Sequence, residues 1–141
     1  MSRSEPSPSA DGESLHQAYI LGVRIVECHP TDADGVRYRF EAPHHTGITF
    51  ENPETAELYA DVYFDVNGFE EDGTGDRGVP PEIIQAGRDT LVAYFLTQPG
   101  VDVNWVASFY GVKPEKVRRY ASRVEKRAAG IREGAKERGM E

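Results

Sequence analysis

The stretch VNWVASFYGVKPEKVRRYAS, Val103 to Ser122, decides how the chain is read. Its pattern predicts two helices joined by a tight turn. Ala107 is a small residue inside the first helix, where a second helix would cross closely. Gly111 follows four residues later, where the turn needs a left-handed backbone that glycine adopts without strain. Val106, Tyr110, Val112, Val117 and Tyr120 fall at the spacings that point inward from both helices. Pro114 suits the first turn of the second helix, where a missing N–H costs nothing. Lys113 stands just before it, where Ser or Thr would cap, so that helix start is weakly capped.

Residues 103–122 resemble the helix-turn-helix shared by many bacterial and archaeal DNA-binding proteins. The resemblance does not extend over the rest of the chain. It implies that the second helix sits in the major groove of double-stranded DNA with its early residues at base edges. The exposed candidates for that contact are Lys113, Arg118, Arg119 and Ser122. Arginine can give guanine two hydrogen bonds, and lysine can meet guanine or phosphate. Glu115 could accept from cytosine or pair with Arg119 four residues on. Lys116, Arg123 and Arg127 would meet phosphates. The C-terminal half also resembles short helix-turn-helix antitoxin-like proteins, in which a helix precedes the same motif. The competing reading is a helical hairpin that packs or docks a protein partner, making the chain an interaction adaptor. A DNA reader needs Arg118 and Arg119 on a free face; an adaptor buries that face against protein.

Charge favours the first reading. The chain of 141 residues has a net charge of −8, which argues against indiscriminate nucleic-acid binding. Yet residues 1–112 hold 6 basic and 19 acidic side chains, whereas residues 113–141 hold 10 basic and 5 acidic. This is a basic patch on an acidic body. Arginine outnumbers lysine 12 to 4. Acidic character with few lysines is similar to proteins of a salt-rich cytoplasm, and the composition resembles that of haloarchaeal, halophilic proteins. High salt weakens counterion release, so such a reader must lean on base contacts, shape and dimer geometry.

Working outward, the last helix is predicted from about Pro114 toward Arg138. Val117, Ala121, Val124, Ala128, Ile131 and Ala135 recur as a heptad seam. The seam fits a homodimer interface, which would present two recognition helices to a two-fold site. It fits equally well packing on the chain's own body. Lys116, Arg119, Arg123, Lys126 and Arg127 form a stripe away from the seam. Gly130 and Gly134 are expected to fray the far end. Before the turn motif, Pro80-Pro81-Glu82 starts a buried helix bearing Ile84, Leu91 and Phe95, stopped by Pro99-Gly100. Asn52-Pro53-Glu54 starts another, with Leu58, Tyr59, Val62 and Val66 on one face, although the β-branched and aromatic content of the segment also permits a strand.

The N-terminal part reads as β. HQAYILGVRIVEC (His16–Cys28) predicts a strand with a bend at Gly22; VRYRFEA (Val36–Ala42) alternates as a second, making a hairpin; Ile48–Phe50 adds a short third. His29–Gly35 is a turn by composition, and residues 70–78 a solvated acidic loop. Residues 1–13, rich in Ser and Pro, are expected to be a disordered tail. The fold class is therefore α+β: a hairpin or small antiparallel sheet (14–51), then about four helices (52–141), in a single domain. The hairpin would then be a dimerisation part or a place where a protein partner docks.

Other chemistry finds little footing. Cys28-His29 and His44-His45 match no common zinc spacing, so no metal is expected. No nucleophile elbow, phosphate loop or dinucleotide fingerprint occurs, so neither an enzyme nor a cofactor is expected. Trp105, Phe109, Tyr110 and Tyr94 could stack bases but read as core at helical spacing, with Trp105 partly exposed toward a partner. No apolar run reaches membrane-span length, and the lone cysteine suits a reducing compartment; both point to a cytoplasmic protein. Together these readings predict a small, sequence-specific transcriptional regulator.

Overall fold

A computed structural model describes residues 13–30, 35–71 and 79–139. Residues 1–12 of the expected tail (1–13), most of the turn at 29–35 and most of the acidic loop at 70–78 lie outside these residues; Glu13 is described, and its carboxylate pairs with Arg39 at 2.9 Å.

Among the described residues four strands come first: β1 (Ser14–Ala18), β2 (Arg24–Cys28), β3 (Arg37–Glu41) and β4 (Ile48–Phe50). They form an antiparallel sheet in the order β1-β2-β3-β4. The segment read as one bent strand is two strands. The chain reverses at Leu21-Gly22, with φ of 62° and 75°, and the Val23 N–H closes the turn onto the Ile20 carbonyl at 3.3 Å. Two consecutive left-handed residues match the twist of a two-residue hairpin. Leu21 is therefore at a turn tip and exposed, while Val23 and Ile25 reach the core. Ile25 pairs opposite Phe40, both fully buried. On the other face Arg24 lies opposite Glu41 and bonds it at 2.7 Å.

Five helices follow among the described residues. α1 (Pro53–Asp65) begins where expected. Asn52 accepts from the Thr55 N–H at 2.9 Å, satisfying one of the orphan donors of the first turn. The helix read from Pro80 onward is two helices, α2 (Pro81–Ala86) and α3 (Arg88–Leu96). Gly87 sits between them at φ 117°, ψ 174°, a conformation confined to glycine. It breaks the predicted helix outright. α4 (Val103–Tyr110) and α5 (Pro114–Glu137) complete the chain. Asp102 caps α4 by accepting from the Trp105 N–H at 2.8 Å.

α1 lies against β3 and β4 and against α3 and α5. One core joins Ile25, Phe40 and Phe50 of the sheet to Tyr59 and Val62 of α1, Tyr94 of α3 and Val124 and Ala128 of α5. A second, smaller core joins Val92 of α3 to Val106 and Ala107 of α4 and Val117 and Tyr120 of α5. α3 has a foot in each core, and so fixes the α4–α5 pair to the body.

Candidate nucleic-acid interface

The α4–α5 corner is built as the spacing requires. Gly111 is left-handed at φ 67°, ψ 37°. The Val112 N–H reaches back to the Ala107 carbonyl at 2.9 Å and the Gly111 N–H to Ser108 at 3.2 Å, a Schellman closure. Val106 and Val117 are fully buried, Ala107 and Tyr120 nearly so; Tyr110 and Val112 pack partly buried around them. Lys113 precedes Pro114 with no side-chain cap, as its residue type implies.

The seam of α5 is not a free face. Val117, Val124 and Ala128 are fully buried, and Ala121 and Ala135 nearly so, because α5 packs along α1 and α3. Of the two uses open to the seam, packing on the chain's own body is the one observed. Residues Gly130 and Gly134 are carried inside the helix, which continues to Glu137.

With the seam inward, the opposite face of α5 is left to solvent. Lys113, Glu115, Lys116, Arg118, Arg119 and Arg123 are exposed, and Ser122 is half-buried. Among the described residues no ion pair involves Lys113, Lys116, Arg118, Arg119, Arg123 or Lys126. Glu115 does not pair with Arg119. At about 100° per residue, Lys116, Arg119, Arg123 and Lys126 share one stripe, and Glu115, Arg118 and Ser122 the next. The first stripe runs roughly 15 Å along the axis. Lys116 and Arg123 are further positioned over the ring of Tyr120, 5.8 and 5.6 Å from its centroid.

Arg127 stands apart from this set. Its Nε and Nη2 donate to the Asp65 carboxylate at 2.8 and 3.0 Å, and its Nη1 to Asp89 at 2.8 Å. Asp65 also accepts from the buried Thr90 hydroxyl at 2.6 Å. The phosphate role given to Arg127 from its place on the wheel does not fit: two acids from α1 and α3 already hold its guanidinium. Hydrogen bonding to Arg127 also keeps the Asp89 carboxyl below its ordinary range. Arg132 is likewise held by Asp61, at 2.9 Å.

Three features were not legible from spacing. Arg88, at the start of α3, lies over the Tyr110 ring at 5.2 Å and adds a cation beside α4. Phe109, read as core, is 62% exposed beside Trp105, whose expected partial exposure is observed at 47%. Glu70 and Glu71, read as part of a solvated loop, are tied to the body. Glu70 accepts from the Thr46 N–H and hydroxyl at 3.2 and 3.3 Å. Glu71 accepts from the Tyr59 and Tyr94 hydroxyls at 2.7 and 2.9 Å. Burial, chiefly, and then these acids hold both phenols protonated.

The histidines and the cysteine are placed singly. Cys28 is buried and donates toward the Arg37 carbonyl at 3.5 Å. His45 meets the Tyr59 hydroxyl at 3.0 Å. Among the described residues no group of three or more His, Cys, Asp or Glu is placed to hold a metal, and no helix is long and apolar enough to cross a membrane. A cleft of about 350 Å³ lies between β4, the start of α1 and the α3–α4 connection, lined by no residue of α5. Comparison with family models, curated proteins and solved structures gives no match.

Proposed function

We propose that this chain is a small sequence-specific DNA-binding protein, a transcriptional regulator that lays the first half of α5 in the major groove of duplex DNA. The observation that carries the reading is the unpaired cationic face of α5: six exposed or solvent-facing cations on a helix whose reverse side is the core. Arg118 and Arg119 lie next to each other in sequence but on neighbouring stripes, so one helix can present them to different base edges. Lys116 and Arg123 suit phosphates at the groove wall. Arg127 takes no part, since its charge is spent on Asp65 and Asp89.

Arg118 and Arg119 are exposed, as duplex reading requires. The occupied seam removes one of the two surfaces open to a homodimer and leaves the N-terminal hairpin as the other. A two-fold site would need its interface there.

The test is binding of the purified chain to labelled genomic fragments across a salt series, beside an Arg118→Ala/Arg119→Ala variant. Saturable binding to a subset of fragments, lost in the variant, is expected. Loss of one phosphate contact, by Lys116→Ala, should lower the salt slope by about 1 without changing which fragments bind. Absence of binding at every salt concentration where the chain is folded refutes the reading.

A further inference from the structure

The outer face of α4 carries two large rings that the core leaves out. Trp105 and Phe109 are stacked, centroids 5.3 Å apart and planes within 8° of parallel. α4 turns Val106 and Ala107 inward instead. Tyr110 meets Phe109 edge-on at 5.2 Å, and the Arg88 guanidinium lies over Tyr110. Tyr110, its hydroxyl kept protonated first by burial, is also an electrostatic neighbour of Tyr120. Tyr120 in turn sits beneath Lys116 and Arg123. An aromatic surface on α4 thus grades into the cations of α3 and α5. The nearest acid in sequence, Asp102, is turned to the Trp105 N–H as a cap.

We propose that the Trp105–Phe109 pair is a stacking platform for unpaired nucleobases, so that the chain binds single-stranded DNA segments along this face. Arg88, Lys116 and Arg123 neutralise the backbone of the bound strand. The size of the patch decides against a second copy of the chain. Each half-exposed ring offers on the order of 100 Å², and a stable protein interface needs about 800 Å² per partner. A base needs only one flat π-face, and cations at the margin attract the phosphates that accompany it. This goes beyond duplex reading by α5 and does not rest on it.

Trp105 is the only tryptophan in the chain, so its emission reports on this pair alone. The full chain is titrated with an oligothymidylate of roughly 20 nucleotides, and separately with blunt duplex. Saturable quenching by the oligothymidylate is expected. Phe109→Ala and Phe109→Leu should each weaken its binding on the order of tenfold and leave duplex affinity unchanged. The leucine variant keeps apolar surface without a ring, and circular dichroism checks that both variants fold. Oligothymidylate binding without quenching, no binding at all, or full affinity in Phe109→Leu overturns the proposal. So does a concentration-dependent blue shift of Trp105 emission without nucleic acid, which would show a dimer covering the pair. Duplex binding lost in Arg118→Ala/Arg119→Ala with no quenching by oligothymidylate overturns this proposal and leaves the duplex reading standing. Quenching by oligothymidylate with no binding to any labelled genomic duplex fragment does the reverse.

Discussion

Replacing Arg127 with methionine separates the cations that hold the fold from those free to bind. The substitution keeps the apolar stem along α5 and deletes the guanidinium. Asp65, whose side chain is 4% exposed, is then left with the Thr90 hydroxyl as its remaining partner. Breaking a fully buried pair costs about 3–5 kcal/mol, and an exposed pair about 0–1 kcal/mol. Here the acid is buried but the arginine is 43% exposed. The cost therefore falls between, at about 2–3 kcal/mol. Arg123→Met, one turn earlier and without an ion pair, should cost less than about 0.5 kcal/mol. Urea unfolding at pH 7, followed by circular dichroism, measures both. Adding Asp65→Asn to Arg127→Met removes the stranded charge and should recover about 1–2 kcal/mol. The pH dependence has a definite sign. The Asp89 carboxyl is lowered by Arg127, so its contribution is present above the unfolded value and lost as pH falls through the folded one. The gap between the parent chain and Arg127→Met should narrow below about pH 4. Equal loss in Arg127→Met and Arg123→Met, or no recovery on adding Asp65→Asn, would refute the reasoning.

Three further outcomes can be checked by the same unfolding measurement. Gly111→Ala should cost about 1–2 kcal/mol from left-handed strain alone, since a Cβ there meets nothing within 4 Å; Gly111→Asn should cost less. Asn52→Ala removes the cap of α1 and should cost about 1 kcal/mol, with Asn52→Ser close to the parent. Two groups should bend the stability profile in opposite directions. Burial, against the pull of Arg132, raises Asp61 to about 6, so its contribution is fully present below the unfolded value and lost as pH rises through about 6. Burial also lowers His45, opposed by Glu70 and Glu71, so stability falls as pH drops below about 6.5. Asp61→Asn should abolish the first dependence and His45→Gln the second.

Local chemistry along the chain was enough for much of the architecture. Gly111 and Pro114 mark the α4–α5 corner because one needs a left-handed backbone and the other lacks an N–H. Asn52-Pro53 marks the start of α1, and alternation in Val36–Ala42 marks β3, for equally local reasons. The exposed cations of α5 were legible too, since a seam of small and branched apolar residues on one face dictates what the other presents. Tertiary structure decided what depends on distant partners. Whether Leu21-Gly22 bends a strand or reverses it depends on β2 finding β1 and β3 on its two edges. Gly87 breaks a helix because its backbone sits at φ 117°, ψ 174°, outside the helical region, which no propensity encodes. Arg127 carries the same charge as Arg123, but Asp65 and Asp89 come from elements 62 and 38 residues away. Phe109 has the spacing of a core residue and lies outside, beside Trp105, because Val106 and Ala107 already fill the contact with α5. Periodicity reports which residues share a face; only packing says whether that face is covered.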